Sequence, residues 1–144
     1  MSPIRPHRRP ALGATLLLLL AGPSCGGPSM NPPADRARTA LEASLNAWRE
    51  DKKPGNVAGT DPPVQVADND WSNGRKLTAF EILREQPSEA DKRFVVKLTY
   101  ARPTAVTEAV YVVLGANPIA VFREEDYART LTMDNNPTPK TKRR

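Results

Sequence analysis

Apolar positions recur along this chain with two different periods. Ala34, Ala37, Leu41, Ser44, Leu45 and Trp48 fall at steps of three and four, a single apolar face. That spacing predicts one amphipathic helix of about 18 residues. Asn31 is placed to cap it with Pro32 at the first helical position, where a missing N–H costs nothing. Asp35 near the start and Lys52 and Lys53 at the end complement the helix dipole, and Pro54-Gly55 stops it.

From residue 63 onward the period drops to two. Phe94, Val96, Leu98 and Tyr100 alternate with Arg93, Val95, Lys97 and Thr99. Val106 to Leu114 alternates as well, although Ala109, Tyr111 and Val113 leave its second face partly apolar. Lys76 to Leu83, Ile119 to Arg123 and the short Val64 to Ala67 also read as strands. Turn chemistry separates them: Asn73-Gly74, Gln86-Pro87-Ser88, Arg102-Pro103 and Gly115-Ala116-Asn117-Pro118. Short links favour antiparallel neighbours, because parallel strands need a long crossover.

A sheet with one apolar face must cover it, and the sizeable cover in this chain is the Leu41/Leu45/Trp48 helix. The expected fold is therefore α+β: one N-terminal helix packed on a four- to five-stranded antiparallel meander sheet, as a single domain over residues 34–130. Trp48, Phe94, Tyr100 and Tyr111 are its candidate ligand-facing or core side chains. A helix ending Ala47-Trp48-Arg49 before a Lys-Pro-Gly turn, laid across a curled sheet, resembles the cystatin-like and nuclear-transport-factor-like superfamily. That resemblance implies a cone-shaped fold. It also implies small-ligand binding or isomerase-like chemistry carried by Tyr and carboxylate side chains, or inhibition through loops as in cystatins.

The N-terminal segment follows different rules. Arg5, His7, Arg8 and Arg9 precede an apolar stretch containing Leu16 to Leu20, then Ala21-Gly22-Pro23-Ser24-Cys25. A basic region, an apolar run and small residues make a secretory signal layout. The run is shorter than the roughly 20 residues a transmembrane helix needs. The cysteine after the small-residue patch, followed by Gly26-Gly27-Pro28-Ser29, resembles a bacterial lipoprotein processing site over residues 5–27. Gly22 stands where that family usually has Leu. The resemblance implies a signal peptide over residues 1–24, with Cys25 as the lipidation residue, and acyl chains that anchor the protein without a spanning helix. Residues 25–33 then read as a Gly/Pro/Ser tether. An ordinary secreted protein cut between Ala21 and Ser24, with a free thiol, is the competing reading.

Processing changes the charge. The whole chain carries 21 basic and 16 acidic residues. Removing residues 1–24 takes away three arginines and no acids, so the net charge falls from +5 to +2. Lys140, Lys142, Arg143 and Arg144 hold four of the remaining positive charges, at the end of a basic tail over residues 131–144. The body is near neutral and lacks the basic, aromatic-rich face of a nucleic-acid binder. The tail could touch an anionic surface or an envelope protein.

Candidate chemistry is sparse. The single His is His7 and the single Cys is Cys25. Intrachain disulfides, His/Cys metal clusters and histidine-dependent triads are thereby excluded from the mature domain. Asp68-Asn69-Asp70-Trp71-Ser72-Asn73-Gly74 looks like the opening of a calcium loop, yet the required Gly and Glu positions fall on Asn73 and Ala79. It reads instead as a polar hairpin turn with Trp71 packed on the helix or the sheet edge. Glu124-Glu125-Asp126 reads as a solvated chain end, and Arg75-Lys76 and Lys92-Arg93 as guards of strand edges. No catalytic residue, metal or cofactor is assigned. The expected function is an exported, membrane-anchored lipoprotein of the bacterial cell envelope acting as a non-enzymatic structural or binding module, with membrane lipid as its partner through acylated Cys25. The alternative is a small-ligand-binding or isomerase-like protein of the cone-shaped fold.

Overall fold

The computed structural model describes residues 30–135. The signal segment, Cys25 and the Lys140 to Arg144 tail lie outside these residues. The first element, α1 (Ala34–Arg49), buries Ala37, Ala40, Leu41, Ser44, Leu45, Ala47 and Trp48, the face its periodicity requires. Its start differs from expectation. Pro33 is the N-cap, in an extended conformation with no side-chain cap, and its carbonyl accepts the first helical bond from Ala37 N–H at 2.9 Å. A residue preceding proline is pushed out of the helical region, so Pro32-Pro33 delays the helix by two positions. Asn31 is diverted from capping, and its Nδ2 donates to the Glu89 carbonyl at 3.1 Å.

The helix ends before Pro54-Gly55. Asp51 adopts φ 59, its N–H bonds to the Trp48 carbonyl, and Lys52 N–H bonds to the Ala47 carbonyl. This is the double hydrogen bond of a Schellman motif, with Asp in the left-handed position that Gly usually takes.

The sheet departs from a simple meander. Six strands lie in the order β1-β2-β6-β5-β4-β3, where β1 is Asn56–Val57, β2 Val64–Ala67, β3 Leu77–Gln86, β4 Lys92–Ala101, β5 Thr104–Leu114 and β6 Ile119–Arg123. The pairs from β3 through β6 are antiparallel, as turn chemistry predicts. β2, however, pairs parallel to β6, with Val64 opposite Ile119 and Ala67 opposite Phe122. The expected four- to five-stranded antiparallel sheet is thus a six-stranded mixed one. The physical reason is that α1 and β2 precede the meander in sequence and return to its open edge, a long-range pairing that no local turn encodes.

Two further helices appear. α2 (Asn69–Ser72) is a single turn and α3 (Glu124–Asn135) continues directly from β6, through the stretch from 131 expected to belong to the tail. The face of the sheet toward α1 carries Val64, Leu77, Phe94, Val96, Leu98, Tyr100, Ala109, Tyr111, Val113, Ile119 and Val121, all buried with the helix residues in one cluster. Val95 and Val112 point the other way and are also buried. α3 contacts β5 and β6, and its Tyr127 ring packs 5.5 Å from Phe122 on that second face. The β5 face with Ala109, Tyr111 and Val113 is thus the one under α1, and α3 covers part of the opposite face, at Val112. β3 forms the outer edge, and register shifts between Leu77 and Ala79 and between Ile82 and Arg84 interrupt its ladder. Such bulges blunt an edge against pairing with another chain.

Candidate functional site

The parallel pairing of β2 and β6 builds the most elaborate side-chain arrangement in the domain. Ala67 is opposite Phe122, so the next residues, Asp68 and Arg123, emerge side by side from the two strand ends. Tyr111 is the cross-strand partner of Arg123 on β5. All three converge beneath α1.

Asp68 caps α2, its Oδ1 accepting from the Trp71 N–H at 3.1 Å. Its Oδ2 accepts from the Tyr111 hydroxyl at 2.6 Å, and the Arg123 guanidinium lies 3.8 Å away. Two residues on, the Asp70 Oδ2 accepts from Arg123 at 2.5 Å, Arg75 at 3.0 Å and the Tyr100 hydroxyl at 3.1 Å. The Arg75 guanidinium also lies 3.7 Å from the centre of the Tyr100 ring. Trp71 stacks on Trp48 at 5.6 Å with the ring planes nearly parallel, and each indole N–H finds a carbonyl: Trp48 donates to Arg75 and Trp71 to Lys52.

Burial and charge pull these groups in opposite directions. Asp68 is 3% exposed, and burial pushes its carboxyl above the usual range despite the Tyr111 hydroxyl and the Trp71 N–H. Burial likewise pushes the Tyr111 phenol well up, with Asp68 reinforcing it. For Asp70 burial also acts upward, but Arg123, Tyr100 and Arg75 together win and hold the carboxyl below its ordinary value. Arg123 keeps its proton even more tightly than usual: desolvation is outweighed by Tyr100, Asp68 and Tyr111.

A buried carboxylate beside a tyrosine is a familiar acid/base arrangement, but chemistry also needs room for a substrate. Here the space among Leu45, Trp48, Asp68, Trp71, Tyr111 and Val121 is about 10 Å³. It holds no more than about one water. Both Asp68 oxygens already have donors, and the hydroxyls of Tyr100 and Tyr111 are committed to Asp70 and Asp68. The cluster as folded is a polar network that joins α2, β2, β5 and β6.

The sequence-predicted side chains are distributed accordingly. Trp48, Phe94, Tyr100 and Tyr111 are all core residues, each no more than 2% exposed. The polar turn expected at Asp68 to Gly74 is the capped one-turn helix α2, with Trp71 buried against Trp48. Glu124, Glu125 and Asp126 form the first turn of α3 and are not a chain end. Glu124 pairs with Arg93, Glu125 with Arg123, and Asp126 accepts from the Asn69 backbone and side chain. Arg75, Lys76, Lys92 and Arg93 are likewise engaged in ion pairs, with Asp70, Asp51, Glu85 and Asp91. Sequence reasoning missed Asp68, Asp70 and Arg123 as a unit. The available signal was Asp68 three residues before buried Trp71, an N-cap spacing.

A second feature is open. A groove of about 670 Å³ lies between the first turns of α1, the 59–62 loop and the 116–119 turn. Its floor is Ala40, Ala43, Val64 and Ile119, and Asp35, Arg36, Thr39, Thr60, Asp61 and Asn117 rim it. No helix among the described residues is long and apolar enough to cross a membrane. No family model matches the chain, and neither a curated protein nor a solved structure matches it.

Proposed function

We propose that this chain is an exported lipoprotein, anchored to a bacterial membrane through acylated Cys25, whose α+β domain serves the cell envelope as a non-enzymatic structural or binding module. The anchor half of the reading rests on the basic start, the Leu16 to Leu20 run and the small residues ending at the single Cys. The observation that carries the module half is the commitment of both Asp68 oxygens and the Tyr111 hydroxyl to one another and to the Trp71 N–H, beside a space of about 10 Å³. A small-ligand binder or isomerase working through Tyr and carboxylate groups would need Tyr111 exposed to ligand, and the cavity of about 260 Å³ that Asp68 lines with Pro54, Ser72 and Asp126 does not include it. The basic residues from Lys140 to Arg144 add a candidate contact to an anionic surface or an envelope protein.

The test is the intact mass of the mature protein made from the full-length chain in a bacterial host, beside Cys25→Ala. The expected product begins at residue 25 and carries added acyl mass that Cys25→Ala lacks. An unmodified chain cut before residue 25 would overturn the proposal.

A further inference from the structure

The way the chain enters the domain determines which end of the sheet lies near the anchor. Before α1 begins, residues 30–33 form a strap. The Met30 carbonyl accepts from Gly115 N–H at 2.7 Å, Asn31 donates to the Glu89 carbonyl at 3.1 Å, and Pro32 is buried. Gly115 opens the turn between β5 and β6, and Glu89 sits in the turn between β3 and β4. β3 and β5 both run toward these turns and β4 and β6 run away from them, so both turns lie at the same end of the sheet. The opposite end is the β4–β5 turn at Arg102-Pro103.

We infer that the 87–90 and 115–118 turns form the membrane-facing end of the domain, held against the lipid headgroup layer by the short tether, with the Arg102 turn directed away. This rests on the lipoprotein reading above and adds an orientation to it. Five residue steps separate Cys25 from Met30. A chain spans at most about 3.6 Å per residue, so the near end stays within about 18 Å of the acylated residue. β4 carries ten residues from that end to the Arg102 turn. At about 3.3 Å per residue this adds about 33 Å of reach to the far end.

The opposite end carries Arg49, Lys52, Lys53, Lys76 and Arg102 against Glu50 and Asp51, so the orientation holds for a zwitterionic bilayer, where charge attracts neither end. The near end presents Asp35, Asp61 and Glu89 against Arg36, an acidic balance that gains nothing from an anionic bilayer. On a zwitterionic bilayer the tether alone therefore keeps this end at the surface. The groove rimmed by Asp35, Arg36 and Asn117 opens at the same end, and so faces the headgroup layer.

Acylation of Cys25 occupies the only native thiol, so an introduced cysteine takes a fluorescent label selectively. Acylated Ala116→Cys and Arg102→Cys proteins are reconstituted into phosphatidylcholine vesicles containing a headgroup-quencher lipid. Ala116 and Arg102 are both exposed. The label at 116 is expected to be quenched at least twofold more than the label at 102. Glu89→Cys, in the other near turn, should match 116, and ten Gly/Ser residues inserted between Ser29 and Met30 should shrink the difference. Equal quenching at 116 and 102 in protein of verified acyl mass overturns the orientation and leaves the lipoprotein reading standing. A chain whose mass shows no acylation overturns both.

Discussion

Tyr111→Phe removes one hydroxyl from the centre of the polar network and almost no volume. Tyr111 is 2% exposed and its hydroxyl donates at 2.6 Å to Asp68, itself 3% exposed. The adjoining space is about 10 Å³, so no cluster of water can replace the lost donor. A hydrogen bond to a charged group contributes about 1.5–3 kcal/mol, and an orphaned buried acceptor bears its full desolvation cost. Tyr111→Phe should therefore cost about 2–3 kcal/mol, or about 10–15 °C in Tm for a domain near 100 residues. Tyr100→Phe is the control. Its carboxylate partner Asp70 is 30% exposed and keeps Arg75 and Arg123, so the loss should stay below about 1 kcal/mol.

The pH dependence has a definite sign. Burial raises the Asp68 carboxyl and the Tyr111 hydroxyl partly offsets it, so the variant raises it further. A carboxyl raised in the folded state contributes stability that is full below its unfolded value of about 3.9 and is lost as pH rises through the folded value. The Tyr111→Phe penalty should thus be small near pH 4 and grow toward neutrality. Urea and thermal unfolding, followed by fluorescence of the stacked Trp48–Trp71 pair from pH 4 to 8, measures it. A penalty under about 0.5 kcal/mol at pH 7, one equal to that of Tyr100→Phe, or one independent of pH would refute the reasoning.

Asp91 gives the opposite sign. It is 5% exposed, accepts from Arg93 and Ser88, and its carboxyl lies below the ordinary range chiefly through the Arg93 hydrogen bond. Asp91→Asn should cost about 2 kcal/mol at pH 7, and the difference should vanish as pH falls through the folded value, below about 3.9, in the same unfolding assay. Gly115 has φ +85, and a Cβ there would sit 2.7 Å from the Pro118 carbonyl oxygen. Gly115→Ala should cost about 2–3 kcal/mol, against about 1 kcal/mol for Gly74→Ala, which has a similar φ but open space; thermal unfolding of the two side by side checks this. Leu41→Ala, at a fully buried position under the sheet, should cost about 2–5 kcal/mol, while Leu83→Ala at the 38% exposed bulge should stay within about 0.5 kcal/mol, both by urea denaturation.

The parts of this fold legible in the sequence are those whose information is local. Leu41, Leu45 and Trp48 declare α1 by spacing, and Phe94 to Tyr100 declare β4 by alternation, because each pattern is written within a dozen residues. Glu124-Glu125-Asp126 was equally local, an acidic first turn that signals a helix start, and Val110 and Val112, on the face of β5 turned away from α1, asked for a second cover. Those two signals together locate α3. The β2–β6 pair is different. β2 has four residues and β6 five, and their partners lie 55 positions apart, so neither propensity nor turn chemistry specifies the parallel register. The network at the strand ends inherits that difficulty: Asp68 and Tyr111 are 43 residues apart, and their meeting is a consequence of the pairing.

The same dependence runs backwards, from the network to the pairing. In a ladder this short, few hydrophobic contacts distinguish the native register from a slip. A one-residue slip turns Val64 and Val66 toward the wrong face of the sheet. It also carries Asp68 away from the Arg123 guanidinium and the Tyr111 hydroxyl, leaving a buried carboxylate with only its local Trp71 N–H donor. An unpaired buried charge is far costlier than a lost surface contact, so the polar cluster penalises the wrong register more sharply than the apolar residues reward the right one. Asp70, shared by Arg75, Arg123 and Tyr100, extends that constraint to the start of β3, and the Trp48–Trp71 stack ties it to the end of α1. The arrangement thereby has a part in assembly. It closes a parallel pairing that sequence-local forces leave open, which is why its donors and acceptors are directed at one another.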